Sequence, residues 1–343
     1  MTDRACRSPP DTSPAERTSA PGQAGEPVRQ PLGCSAARAG LAAPCGLRGP
    51  NRKERAQNVV RLLALGILLS FLIPTTNANA ASPGPSDTRM VPVDGRRIAF
   101  HVTPGHSPII VLDAGGGLDS SYWTSLLPAL TRCTGSKIIA YDRAGMGRSD
   151  PVSGPWSLQG AERDLADGLR QLGATHDVIL VTDSMAGEIA TAFAQRHAGW
   201  LAGAVFVDAS VPQFYTPEEV QRVAAENKAM ISALTRAPST QATRQLLAYA
   251  ESFEETSRTF HRMKWPASVP VIAIVSEKTP FDTAQDASLW KQAQARFASA
   301  GANRKLLIAR GSSHDIVHDS PAIILRAVHD MIARVGPRVS GAH

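Results

Sequence analysis

Between residues 108 and 335, short and nearly continuous apolar runs alternate with segments of helical period. The runs are "PIIVLDA", "KIIAYDR", "DVILVT", "GAVFVDA", "PVIAIVS" and "RKLLIAR". Helices are expected near 120–131 and 157–172, directly after Ser184, near 286–298, and over 321–335. A strand that is apolar along its whole length is covered on both faces. Alternating such strands with helices predicts an α/β fold, a mostly parallel central sheet with helices on both faces. Ahead of this series, "RMVPVDGRRIAFHV" reads as two strands turning at Asp94-Gly95, a hairpin signal.

The alternation pauses between residues 212 and 268. There "TPEEVQRVAAENKAMISALTRA" and "STQATRQLLAYAESFEETSRTFHRMKW" both have helical character, and no strand separates them. Ligands bind at the carboxyl ends of the strands in open α/β sheets, so a helical lid over those ends is expected at about 212–268.

Residues 1–57 are rich in Pro, Gly, Ser, Ala and Arg without apolar periodicity, as in a disordered leader. Residues 58–80 read as a signal peptide. The run "LLALGILLSFLI", from Leu62 to Ile73, follows basic residues and ends at the small-x-small site Ala78-Asn79-Ala80. The expected location is secreted or periplasmic; a membrane anchor at residues 62–73 is the alternative, although the run is short for a span. One explanation for the residues ahead of the signal is a true start close to Val59 or Val60. Residues 1–80 hold ten Lys plus Arg and five Asp plus Glu, so they carry five of the chain's six net positive charges. Residues 81–343, the expected folded domain, are therefore near neutral, and nucleic acid is not an expected partner. After signal cleavage no stable membrane insertion is expected.

Four segments inside the α/β region carry chemistry, in this order: "VLDAGGGLDSSYW", "YDRAGMGRSD", "VTDSMAG" and "GSSHDIVHDSP". Together they resemble the α/β-hydrolase superfamily, in its serine-nucleophile, esterase- and lipase-like form, over about residues 90–334. The resemblance implies an oxyanion loop in the first segment, a structural turn built on Asp142, Gly145 and Gly147 in the second, a nucleophile elbow at Ser184 in the third, and a base in the fourth.

Both glycines of the usual Gly-x-Ser-x-Gly elbow are replaced, by Thr182 and Ala186. Neither change removes an atom the chemistry requires, and Gly187 offers room for a close approach. Ser184 is the candidate nucleophile, against an inert serine on an ordinary strand-to-helix turn. Asp183, beside it, is expected to be solvated or bonded to backbone; facing inward, a second carboxylate so close would raise the pKa of the base. His314 is the candidate base, with His318 one helical turn on as its rival. The acid is less well marked, because Thr279 occupies the position where this family often carries Asp. Asp208, at the end of "GAVFVD", and Asp282 are the substitutes; a strand terminus fixes geometry better than a loop, which favours Asp208. The backbone amides of Gly116 and Met185 are the expected oxyanion donors, although Gly115 to Gly117 could equally form a simple turn.

These residues lead to a serine hydrolase acting on a small-molecule carboxylic ester or related acyl substrate through an acyl-enzyme intermediate. Phe214, Tyr215, Leu246, Leu247 and Trp265 are candidates to line an acyl pocket. Epoxide or haloalkane hydrolysis would need an Asp at position 184. No Gly-x-Gly-x-x-Gly follows a first strand and no His/Cys cluster has metal spacing, so no cofactor and no metal are implied. The competing expectation is a catalytically inactive binding protein on a hydrolase-like scaffold, since a fold does not dictate function.

Overall fold

The computed structural model describes residues 87–152, 154–281 and 283–336. The expected leader, the signal peptide and Asp282 lie outside the described residues. The hairpin is formed by β1 (Asp87–Val93) and β2 (Arg96–Thr103), which pair antiparallel. Asp94 and Gly95 both have positive φ, 47° and 77°, as the favoured two-residue hairpin turn requires.

Six further strands complete one sheet: β3 (His106–Asp113), β4 (Ser136–Tyr141), β5 (Val178–Asp183), β6 (Leu201–Val207), β7 (Val271–Ser276) and β8 (Arg304–Ala309). Their spatial order is β1-β2-β4-β3-β5-β6-β7-β8. From β4 to β8 every pairing is parallel, and β2 runs antiparallel to β4. Every residue of β5, β6 and β7 is buried, which explains their uninterrupted apolar runs.

Successive strand residues face opposite layers. Leu180 and Phe206 pack with Leu165 and Leu169 of α2 (Leu158–Gln171) and with Ile189 and Phe193 of α3 (Ala186–His197). Ile179, Val181 and Val205 instead pack with Leu130 of α1 (Leu127–Thr134) and with Ile324, Val328 and Met331 of the last helix, Pro321–Val335. The helix expected near 120–131 is divided. A 3₁₀ turn at Ser120–Trp123 is capped by the Asp119 side chain, and α1 starts afresh with Pro128 in its first turn. Proline lacks the N–H that a continuous helix would need there, whereas a first turn tolerates it.

Two helices, α4 (Pro217–Arg236) and α5 (Gln241–His261), are inserted between β6 and β7, within the expected 212–268. The Thr216 and Thr240 side chains cap their N-termini. After β7 come α6 (Ala284–Ser299), then β8, the single turn α7 (Ile316–Asp319) and α8 (Pro321–Val335).

The chain passes from β3 to β4 on one side, then returns to place β5 on the other side of β3. The carboxyl ends of β3 and β5 therefore flank a topological switch point, where a crevice forms in sheets of this kind. Asp113 lies beside Thr182, and Asp183 beside Val207, so the segments after β3, β5 and β6 emerge together.

Candidate active site

Ser184 follows β5 directly and has φ of +52°, a region that residues with a side chain rarely adopt. Its backbone is held on both sides: its N–H donates to Val207 O at 3.2 Å, and its carbonyl accepts from Ser210 N–H at 2.8 Å and Gly187 N–H at 3.1 Å. These bonds sustain a strained turn of the kind found at functional sites.

His314 lies in the loop between β8 and α7, and its Nε2 is 2.9 Å from Ser184 Oγ. On the other side of the ring, Nδ1 is 2.7 Å from Asp208 Oδ2. Asp208 immediately follows β6, has φ of +42° and is completely buried. Its carboxylate is further bound by two residues that the sequence did not mark. Ser276 Oγ–H donates to Oδ2 at 2.5 Å, and Trp290 Nε1–H donates to Oδ1 at 2.8 Å. A carboxylate so placed accepts from Nδ1–H and leaves Nε2 free to accept from the serine hydroxyl.

Of the rival residues, His318 points elsewhere: its Nδ1 is 2.8 Å from Asp315 Oδ1, and its ring packs edge-on against Tyr122. Asp282 lies outside the described residues. Burial alone would lower the pKa of His314. The Asp208 hydrogen bond and charge, with further contributions from Asp183 and Asp315, more than offset this and raise it above the ordinary 6.5.

Asp183 differs from expectation. It is buried rather than solvated, and burial pushes its pKa up to about 7 against the opposing pull of the His314 charge. A Cβ on Gly115 would come within 2.7 Å of Asp183 Oδ2, so a side chain at position 115 would press on that carboxylate and force it to shift.

That loop, Ala114 to Leu118, is pinned from beneath by Arg143, another residue missed from sequence. Arg143 Nη1 bonds Asp113 Oδ1 at 2.5 Å and also donates to Ala114 O, while Nη2 donates to Gly115 O. Tyr141 OH donates to the second Asp113 oxygen at 2.8 Å. The neighbouring turn has the structural role expected of it. Burial would raise the pKa of Asp142, but hydrogen bonds from His101, Ser120 and Arg148 outweigh it and hold it at about 2.

Ser184, His314, Gly116 and Met185 share a cavity enclosing about 1130 Å³, open solvent included. Its far walls are mainly apolar and come largely from the insertion and its flanks, with Phe214, Tyr215, Val220, Leu246, Tyr249 and Phe253 among them. Two expected lining residues are elsewhere. Trp265 is buried in the core against Phe206 and Phe297, and Leu247 packs on the small cluster of Met230, Leu234 and Ala250.

Residues 110–327 match the model of the alpha/beta hydrolase family, and the chain belongs to that family. It is a hydrolase by class. YqjL of Bacillus subtilis (strain 168), an uncharacterized protein, is 24% identical over 247 residues, spanning 70% of this chain and 89% of that one. Among solved structures, a thermophilic esterase from Thermogutta terrifontis superposes with a TM-score of 0.51 at 20% identity, covering 74% of this chain and 99% of its own. The esterase EaEST from Exiguobacterium antarcticum gives 0.52 at 15% identity, with 73% and 99% covered. At these identities the likeness to the solved structures is one of fold.

Proposed function

We propose that the protein is a serine hydrolase of carboxylic esters or related acyl compounds, and that it works through an acyl-enzyme. The observation that carries this reading is the 2.9 Å approach of His314 Nε2 to Ser184 Oγ, with Asp208 at 2.7 Å on the far side of the ring. On this reading His314 takes the hydroxyl proton as Ser184 Oγ attacks the substrate carbonyl. The developing negative charge meets the amides of Gly116 and Met185, the latter at the N-cap of α3, where N–H groups lack partners within the helix. Collapse of the tetrahedral intermediate expels the alcohol, which receives the proton from His314. Water, activated by the same imidazole, then releases the acid. Asp208 holds the ring by Nδ1 and stabilises the imidazolium.

The apolar cavity supports an acyl group with an aliphatic or aromatic chain, since burying such surface is favourable by roughly 25 cal/mol per Å². The decisive experiment is labelling with a fluorophosphonate followed by peptide mapping, alongside turnover of chromogenic esters of graded chain length. Label on Ser184, lost in Ser184→Ala together with ester turnover, is the expected result. A folded protein that neither takes the label nor cleaves any ester in the series would overturn the reading.

A further inference from the structure

The insertion does more than wall the cavity. Gln241, Gln245 and Tyr249 stand at i, i+4 and i+8 on α5, so they share one face of that helix. Each makes a hydrogen bond to a different part of the candidate site. Gln241 Nε2 donates to Gly147 O at 3.0 Å, in the turn that follows β4. Tyr249 OH donates to Glu188 Oε1 at 2.7 Å, in the first turn of α3, directly after Met185. Between them, Gln245 Oε1 accepts from Gly117 N–H at 2.7 Å.

Three consecutive glycines, Gly115 to Gly117, have no side chains with which to fix their own conformation. They are held by their peptide groups. The Gly115 carbonyl and the Gly116 N–H belong to one planar trans peptide and point in opposite directions. Arg143, by bonding Gly115 O, aims the Gly116 N–H away from itself. The next peptide carries the Gly117 N–H, and its orientation is set by Gln245. Gly117 has φ of +73°, and Leu246 closes over the same loop: a Cβ on Gly116 would lie 3.5 Å from Leu246 Cδ2 and 3.5 Å from Met185 Sδ.

The amide of Gln245 is not simply filling space. Its oxygen must face the Gly117 donor, which turns Nε2 the other way, where it is buried without a hydrogen-bond partner among the described residues. A methionine of similar length would carry no such unsatisfied donor.

We propose that Gln245 is a positioning residue for the oxyanion-binding amide of Gly116, so that α5 of the insertion completes an oxyanion hole whose other support, Arg143, belongs to the sheet domain. This inference rests on the serine-hydrolase reading above. It makes the insertion part of the catalytic geometry: when α5 leaves the loop, only the Arg143 side of the three-glycine segment stays anchored.

The test compares Gln245→Met, which removes the acceptor, with Gln245→Asn, which keeps the amide but withdraws it by one methylene. Chromogenic ester kinetics are measured together with the affinity of an alkyl boronic acid, whose tetrahedral serine adduct mimics the intermediate. Thermal unfolding identifies the folded variants. A misplaced oxyanion donor weakens the transition state and not the ground state, so kcat should fall between about tenfold and a hundredfold with KM within about twofold. Boronate affinity should fall by the same factor as kcat/KM. Wild-type kcat and boronate affinity in either folded variant, or a loss confined to KM, overturns the assignment while leaving the hydrolase reading intact. A wild-type protein inert to both ester and boronate overturns the hydrolase reading, and this assignment with it.

Discussion

A Cβ placed on Gly187 would stand 2.3 Å from the carbonyl oxygen of Ser210. The segments leaving β5 and β6 touch at this point, and Ser210 N–H reaches back to the Ser184 carbonyl at 2.8 Å. The close approach that glycines usually allow around a nucleophile elbow is therefore made at position 187. Thr182 and Ala186 are both buried and are accommodated without it.

Gly187→Ala should consequently destabilise the protein despite alanine's better helix propensity. That propensity favours the substitution by roughly 1 kcal/mol. The clash is with backbone and cannot be relieved by a rotamer, so a net loss of about 1–3 kcal/mol is expected, the usual cost of overpacking. Urea denaturation measures it. Ala186→Gly is the comparison, limited to the propensity loss of about 1 kcal/mol; equal stability of Gly187→Ala and wild type would refute the assignment of the contact.

If His314 is the base, the pH dependence of turnover follows from the charges around it. Its pKa is raised above 6.5, and a base must be neutral to act, so kcat/KM should climb with pH through a midpoint above that value. The Asp183 carboxylate, when ionised, stabilises the imidazolium and contributes to this rise. Asp183→Asn removes the charge and should move the midpoint down, while His318→Ala should leave it in place. A folded Asp183→Asn enzyme with an unchanged or higher midpoint would contradict the inward-facing carboxylate.

The inward turn of Asp183 shows where sequence reading stopped. The apolar run before it identifies a strand buried on both faces, and in such a strand polarity no longer reports direction. The succession of strands and helices and the hairpin at Asp94-Gly95 were legible because each depends on a local run, whereas Ser184, His314 and Asp208 were brought together by the order of segments that resemble the α/β-hydrolase superfamily. Ser276, Trp290 and Gln245 act across 68, 82 and 128 residues of chain, and nothing in their local pattern points to a partner. Trp265 and Phe214 look alike in sequence as apolar aromatics beside a helical insertion; only packing separates the core residue from the cavity wall. The divided helix near 120–131 was readable from Pro128, which marks a first turn.

Glu188 provides a test on stability. Burial pushes its pKa up to about 7, against hydrogen bonds from Tyr249 and Tyr215. A carboxyl raised in the folded state binds its proton more tightly there than in the unfolded chain. Its contribution is therefore complete below about pH 4.5 and is lost as pH rises through about 7. Glu188→Gln has no charge to bury and keeps an oxygen for Tyr249. It should match or trail wild type near pH 4.5 and exceed it at pH 8 by a few kcal/mol, at roughly 1.4 kcal/mol per pK unit. Chemical denaturation at the two pH values decides; a stability difference that does not change with pH would show that Glu188 is not buried as a titrating group.

The acid is tested by Asp208→Asn, whose outcome is set by the three donors around the carboxylate. If the new amide NH₂ takes the Oδ1 position it faces Trp290 Nε1–H, which can only donate. If it takes the Oδ2 position it faces Ser276 Oγ, which can rotate to accept, and His314 Nδ1. The second arrangement is the less costly. It requires Nδ1 to accept, which places the imidazole proton on Nε2, toward Ser184, where the base is needed. The substitution should therefore cost up to about 10⁴ in kcat through the wrong tautomer, as the same change does in a serine–histidine–aspartate triad. It should also lower the pKa of His314, since the Asp208 bond and charge are the largest influences raising it. Asp282→Asn supplies the comparison: if Asp208 is the acid, it should leave kcat within about twofold. The reverse ranking would move the acid to position 282, and two small effects would leave Ser184 and His314 working as a dyad.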